Sequence, residues 1–204
     1  TIRAIARRGI MKEALYELMN EIGVKIADST VSWKKIYGLN RAILEEAANR
    51  YFFVWNPEEV KIENLPDSDR GIIERPLHPD FLERGYREIP FKGEIYLVKD
   101  DIKEDKVLRL MDSVNIRFID KKAIFHSSSF GEAKEAGAQL IQWIPKDDNL
   151  KAEIIMPDAS SVKGLVEPSC KNLKVGDIVQ LERFGFARLD EIKGDKLIFY
   201  FAHK

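Results

Sequence analysis

The sequence predicts a mainly β protein with an N-terminal helical subdomain, its strands closed into two small antiparallel β-barrels. Three observations predict it. Apolar residues recur at helical spacing up to about Arg50, and that periodicity then mostly vanishes. From Tyr51 onward the chain breaks into short β-like segments divided by turn chemistry, such as Asp120-Lys121 and Lys193-Gly194-Asp195. The segments number about nine or ten, more than one small barrel needs, so two barrels are expected.

Thr1 is placed to cap a short helix closed by Gly9. Leu15, Leu18, Met19 and Ile22 follow at helical spacing, with Gly23 as the stop. Ser32 caps a third helix whose apolar row is Ile36, Leu39, Ile43 and Leu44, a core stripe rather than a cofactor pocket. Together these make a small bundle that leans on a neighbour. Tyr51 to Trp55 opens the β region. Strands are then expected at Glu94–Val98, Val107–Leu110, Ile116–Ile119, Ala123–His126, Gln139–Ile144 and Ala152–Met156. Asp177–Leu181, Phe186–Asp190 and Lys196–Phe201 complete the set. Pro66 to Pro90, rich in proline and charge, reads as hinge-like.

At 204 residues the chain holds one large domain or two to three small ones. No apolar run approaches the roughly 20 residues of a membrane-spanning helix, so no membrane partner is expected. The first residues do not form a signal peptide, and the missing Met suggests a fragment. A single cysteine, Cys170, rules out an internal disulfide framework and points to a reducing, cytoplasmic setting. The net charge of −1 argues against non-specific binding of polyanions but permits a local basic site. Charge is uneven: Arg3, Arg7, Arg8 and Lys12 cluster early, while Glu58, Glu59, Glu63, Asp67 and Asp69 read as an acidic, solvated surface.

No phosphate-cradling glycine loop is present, and His78, His126 and His203 lack the spacing of a metal site. His78 reads as a loop packing residue, Cys170 as an ordinary thiol, and Ser127-Ser128-Ser129 as a polar loop. No catalytic, cofactor-binding or metal-ligating residue is therefore expected. Binding remains. Between Asp177 and Asp190, Val179 and Leu181 alternate with Gln180 and Glu182, and Ala187 and Leu189 alternate with Arg188 and Asp190. One face can hold a core while the other meets a partner. Arg50 lies where helices meet strands, Arg109 interrupts an apolar strand, and Gln180 interrupts another. Arginine and glutamine can pair with base edges or phosphates, but taken singly each reads first as a surface side chain on an amphipathic strand.

These stretches resemble the C-terminal, anticodon-binding part of class I glutamyl- and glutaminyl-tRNA synthetases, in its archaeal and eukaryotic glutamyl type. The likeness spans essentially the whole chain. It is carried by Arg7-Arg8-Gly9, Asn49-Arg50-Tyr51-Phe52-Phe53-Val54, Leu77-His78-Pro79 and Gly93-Glu94-Ile95-Tyr96-Leu97. It continues through Val107-Leu108-Arg109-Leu110-Met111-Asp112, Ile141-Gln142-Trp143, Glu167-Pro168-Ser169-Cys170 and the stretch around Gln180. The resemblance implies a helical subdomain over 1–50, a proximal barrel over 51–104 plus 161–204, and a distal barrel over 105–160. It implies that Arg50 and Gln180 hold the middle anticodon base, a uridine, and that Arg109 contacts the first. The family's His-Ile-Gly-His and Lys-Met-Ser-Lys-Ser signatures are absent, so catalysis, ATP and Mg are expected in an upstream catalytic domain of the same chain. The expected partner is glutamate tRNA. Asp101 to Lys106, short and mixed in charge, departs from the longer basic segment of glutaminyl enzymes, which opens the hypothesis that glutamine tRNA is charged too. The alternatives are the same region of a glutaminyl enzyme, a non-enzymic ribosomal RNA-binding protein with a related barrel, or a protein-docking platform.

Overall fold

In the computed structural model, which describes residues 1–23 and 30–204, the N-terminal pattern condenses into α1 (Ile2–Arg7), α2 (Lys12–Ile22) and α3 (Trp33–Ala47). The Thr1 hydroxyl accepts from the Ala4 amide and the Ser32 hydroxyl from the Lys35 amide, as N-caps do. Gly9 and Gly23 follow the first two helices with positive φ. The buried face of α2 differs from the expected row: Ala14 and Leu18 are buried, while Met19 stays 67% exposed. Side chains at i and i+4 share a helix face, and the partner helix is narrow enough to cover only that stripe. Helix α1 buries no residue, so α2 and α3 pair as a hairpin and the expected three-helix bundle does not form.

The strands begin with β1 (Asn49–Tyr51), β2 (Phe53–Trp55), β3 (Pro57–Glu63), β4 (Gly71–Pro76), β5 (Tyr86–Phe91) and β6 (Glu94–Val98). Next come β7 (Val107–Leu110), β8 (Asn115–Ile119), β9 (Lys122–Ser127), the short helix α4 (Phe130–Glu135) and β10 (Gln139–Ile141). The chain continues with β11 (Ile144–Pro145), β12 (Leu150–Ile155), β13 (Ser161–Val166), β14 (Ile178–Leu181), β15 (Gly185–Lys193) and β16 (Lys196–His203).

Two seven-stranded sheets run β1-β14-β15-β16-β12-β13-β2 and β10-β7-β8-β9-β3-β6-β11, and β4 and β5 form a separate hairpin. The terminal strands of each sheet are neighbours in sequence. Only Phe52 separates β1 from β2, and only Gln142-Trp143 separates β10 from β11. Each sheet must therefore curl until its ends nearly meet, giving two barrel-like bodies. Gly164 on β13 permits the approach to β2, since a Cβ there would collide with the Val54 carbonyl oxygen and the Phe53 ring. Pairing is antiparallel apart from β1–β14, β10–β7, β12–β16 and β3–β9.

Hydrogen bonding groups the strands differently from chain order. β3 and β6, expected with the proximal barrel, pair in the sheet of β7 to β11, and β12, expected in the distal barrel, pairs with β16. The chain crosses between barrels at Asn56, in the left-handed region at φ 46. A loop-based boundary misses this crossing because β2 and β3 follow each other almost without a break. Phe52 and Val54 enter one core, with Trp143, Ile95 and Leu97, while Tyr51 and Phe53 enter the other, with Leu181 and Phe199. One strand thus serves as a wall between two cores. The hinge expected at Pro66 to Pro90 is instead the β4–β5 hairpin. The acidic stretch is part strand: Glu58 and Glu59 are exposed on β3 while Val60 and Ile62 are buried.

Candidate nucleic-acid interface

Arg50 and Gln180 are far apart in sequence and adjacent in the fold. The parallel pairing of β1 with β14 sets them as direct register partners. Val179 and Leu181 point into the first barrel, so Gln180 faces outward, between Ile178 and Glu182. Ile178 lies under the helices, in a cluster with Leu44, Phe186 and Ala202. Glu182 lies under the β4–β5 hairpin, where Arg87 and Arg75 reach its Oε1 at 3.0 and 3.2 Å. The Arg50–Gln180 pair occupies the gap between these two covers. Among the described residues, Arg50 Nε and Gln180 Oε1 are buried without a hydrogen-bond partner. The same holds for the Nε atoms of Arg75 and Arg87, which nonetheless lie 2.7 and 2.8 Å from carboxylates, so the distinguishing feature of Arg50 and Gln180 is their register pairing. A planar guanidinium fork beside an amide suits the edge of a base.

The hairpin holds this face rigidly. Arg75 and Arg87 are cross-strand partners, and both point inward over the Phe52 ring, at 4.5 and 5.6 Å. Arg87 pairs with the fully buried Glu167 at 2.8 Å, and the Phe52 amide donates to the other carboxylate oxygen at 2.7 Å. Burial pushes the Glu167 carboxyl up, while Arg87, the Phe52 amide and the Ser169 hydroxyl pull it back. Cys170 packs beside this acid, and burial raises its thiol well above the usual range, as an unreactive core cysteine requires. Tyr51, at the edge of the same network, is pushed up to about 12 by burial.

Arg109 sits on the other barrel, away from that pair. It is 9% exposed, and its Nη1 donates to Asn115 Oδ1 at 3.2 Å and to the Ser128 carbonyl at 2.7 Å. Burial lowers its pKa, opposed by Asp112. Leu140, Arg109, Asn115 and Ser127 form one register row across four strands, and Asn115 also donates to the Ser127 hydroxyl and the Ser129 carbonyl. The serine loop is thus the strap that positions Arg109.

Other candidates prove to be supports. Arg7 donates to both carboxylate oxygens of Asp190, at 2.9 and 2.6 Å, which holds that carboxyl below its usual range. Arg8 bonds the Tyr37 hydroxyl and the Ala202 carbonyl. Half of the early basic cluster therefore docks α1 onto the sheet. His78 is buried, its Nε2 donating to the Glu45 carbonyl at 2.7 Å and its Nδ1 accepting from the Asp80 amide. Arg75, Arg87 and Arg183 escaped the sequence reading, and Glu167, Glu182 and Asp101 were named there without their ion-pairing role, because inward-facing charges carry no periodic signature. No helix among the described residues is long and apolar enough to cross a membrane.

Two near-closed sheets behind N-terminal helices define a protein of two barrel-like β bodies, with Arg50 and Gln180 paired on an outer face of one. Two family models, both described as tRNA synthetases class I (E and Q), anti-codon binding domain, match residues 48–129 and 140–190. The chain belongs to this anticodon-binding family. It is 53% identical over 204 residues to a glutamate--tRNA ligase of Methanobrevibacter smithii, covering 100% of this chain and 36% of that protein. Identity is 55% to the glutamate--tRNA ligase of Methanothermobacter thermautotrophicus, again over 100% of the chain and 36% of the relative. It is 40% to that of Methanocaldococcus jannaschii, with 100% and 37% covered. The chain thus spans little more than a third of the length of these relatives.

Proposed function

We propose that this chain is the anticodon-reading region of a cytoplasmic glutamate--tRNA ligase, which attaches glutamate to its tRNA. Arg50 and Gln180 hold the middle anticodon base, a uridine, and Arg109 contacts the first base. The observation that carries this reading is the register pairing of Arg50 with Gln180, each with a buried, unpartnered polar atom. The two barrels act as the proximal and distal grips, and the helical region over 1–50 lies against the inside of the tRNA.

Among the described residues no three His, Cys, Asp or Glu side chains are grouped to hold a metal ion. ATP and Mg2+ are assigned to the part of the full-length enzyme outside this chain. There they would supply the activated glutamate that this region's tRNA receives. Asp101, the first residue of the short segment before Arg109, is 6% exposed and bound to Arg183 and Gln139, which leaves it unable to read a base. The shortness and mixed charge of the segment from Asp101 to Lys106 favour indifference to the third anticodon base, and with it charging of glutamine tRNA.

Titrating the protein with an anticodon stem-loop tests the reading. Replacing the middle uridine is expected to weaken binding by about 1–3 kcal/mol. Equal affinity for all four bases at that position would overturn it. Full-length enzyme that strictly rejects glutamine tRNA would sink the claim about the third base.

A further inference from the structure

The two base contacts proposed above lie on different barrels, and two ionic links join the elements that carry them. Glu182, two residues beyond Gln180 on the same outer face, meets Arg75 Nη1 at 3.2 Å, and Arg75 Nε meets Asp112 at 2.7 Å. Asp112 lies in the left-handed turn that ends β7, three residues after Arg109, and its charge reaches that arginine. The second link starts one residue later in the β14–β15 turn. Arg183, itself in the left-handed region, donates to both oxygens of Asp101 at 2.6 and 2.7 Å and to Gln142 Oε1 at 2.7 Å. Gln139, whose neighbour Leu140 is the register partner of Arg109, donates to the same Asp101 carboxylate at 3.1 Å.

We infer that Arg75 and Arg183 are positioning residues: they fix the spacing between the Arg50–Gln180 pair and Arg109 so that two adjacent bases are read as one unit. This rests on the anticodon reading. The strand at Phe52 to Val54 fixes the wall between the two cores but not the turns at its rim; there the paired hydrogen bonds of Arg183 to Asp101 are directional, and Arg75 adds an ion pair to each side through Glu182 and Asp112. Arg75 is 17% exposed, and its stacking on Phe52 leaves its guanidinium one orientation. A fixed spacing lets the second base bind as an intramolecular event, so affinity exceeds that of either contact alone.

The test compares unmodified protein with Arg75→Ala, Arg183→Ala and the pair, against anticodon stem-loops with neither, either or both bases replaced. Loss of the links is expected to weaken the matched stem-loop by about tenfold while leaving the doubly replaced one within about twofold, since only the coupling is removed. Each single base replacement then costs less than it does in unmodified protein. Asp112→Asn, at a residue whose side chain is 58% exposed, and Arg75→Lys give milder versions if the alanine variants do not fold. Spin labels at Lys122→Cys and Lys163→Cys, one on each barrel and both exposed, provide a readout independent of RNA. Their distance distribution should be narrow in unmodified protein and broad without the links. An unchanged width together with unchanged base discrimination would overturn the inference. Absence of base discrimination in unmodified protein would remove the anticodon reading instead, and the distance width would still decide whether these residues position the barrels.

Discussion

Replacing Gln180 by Met should separate the stability of the free protein from its affinity for RNA. Gln180 Oε1 is buried and unpaired among the described residues, while Val179 and Leu181 on either side fill the core. An unpaired buried acceptor costs about 1–3 kcal/mol, and an apolar side chain of similar length removes that cost. Methionine gives up some of the gain through its flexible thioether in a strand, so a net stabilisation of about 1 kcal/mol is expected. For a chain of this size that raises the melting temperature by about 2–4 °C. The same change removes the amide that meets the base edge, which should weaken the matched stem-loop by about 1–3 kcal/mol, roughly five- to 150-fold. Thermal melting in the absence of RNA and fluorescence titration with the stem-loop measure the two effects. A variant that is less stable yet binds equally well would refute the reasoning, because Gln180 would then be satisfied by the protein.

Further outcomes follow from the supports of the site. Glu167→Ala leaves Arg87, 1% exposed, with only Glu182 as a carboxylate partner and the Phe52 amide unpaired, and should destabilise by about 1–3 kcal/mol in urea unfolding, whereas Glu167→Gln retains an acceptor and should cost less. His203 is depressed below its usual value by burial, its Nε2 meeting the Asn40 amide. A lowered folded-state pKa means that the folded protein binds fewer protons, so stability is lost as pH falls below about 6.5; a His203→Gln variant should flatten that dependence in melting scans. Gly164→Ala should open the seam between β13 and β2, seen as faster amide exchange at Val54 and Val166 than in unmodified protein.

Local elements were largely legible. Glu94–Val98 and Val107–Leu110 form as the alternation predicts, and the caps at Thr1 and Ser32 work as their residue types require. Elements were missed where burial is asymmetric. Strand β3 exposes Glu58 and Glu59 and hides only Val60 and Ile62, so its glutamates dominate the reading. Hairpin β4–β5 was masked by its prolines and by Arg75 and Arg87, which read as surface charges although their heads lie among carboxylates inside. Gln139–Ile144 reads as one strand, but Gln142 breaks it by donating to the Phe53 carbonyl, and its halves become opposite ends of a curled sheet.

Arg50 and Gln180 could be named from residue type and from the likeness to a family, because their shapes suit base edges wherever they sit. Their register pairing, the orphaned atoms between helix and hairpin, and the separation of Arg109 onto a second barrel could not. Alternation, helix caps and turns are set by sterics between near neighbours, so the amino-acid sequence alone determined them. Closure of each sheet, the crossing at Asn56 and the ion pairs of Arg75 and Arg183 depend on which distant strands meet. That choice belongs to the tertiary structure, since it is made only when two cores form on opposite sides of the one strand at Phe52 to Val54.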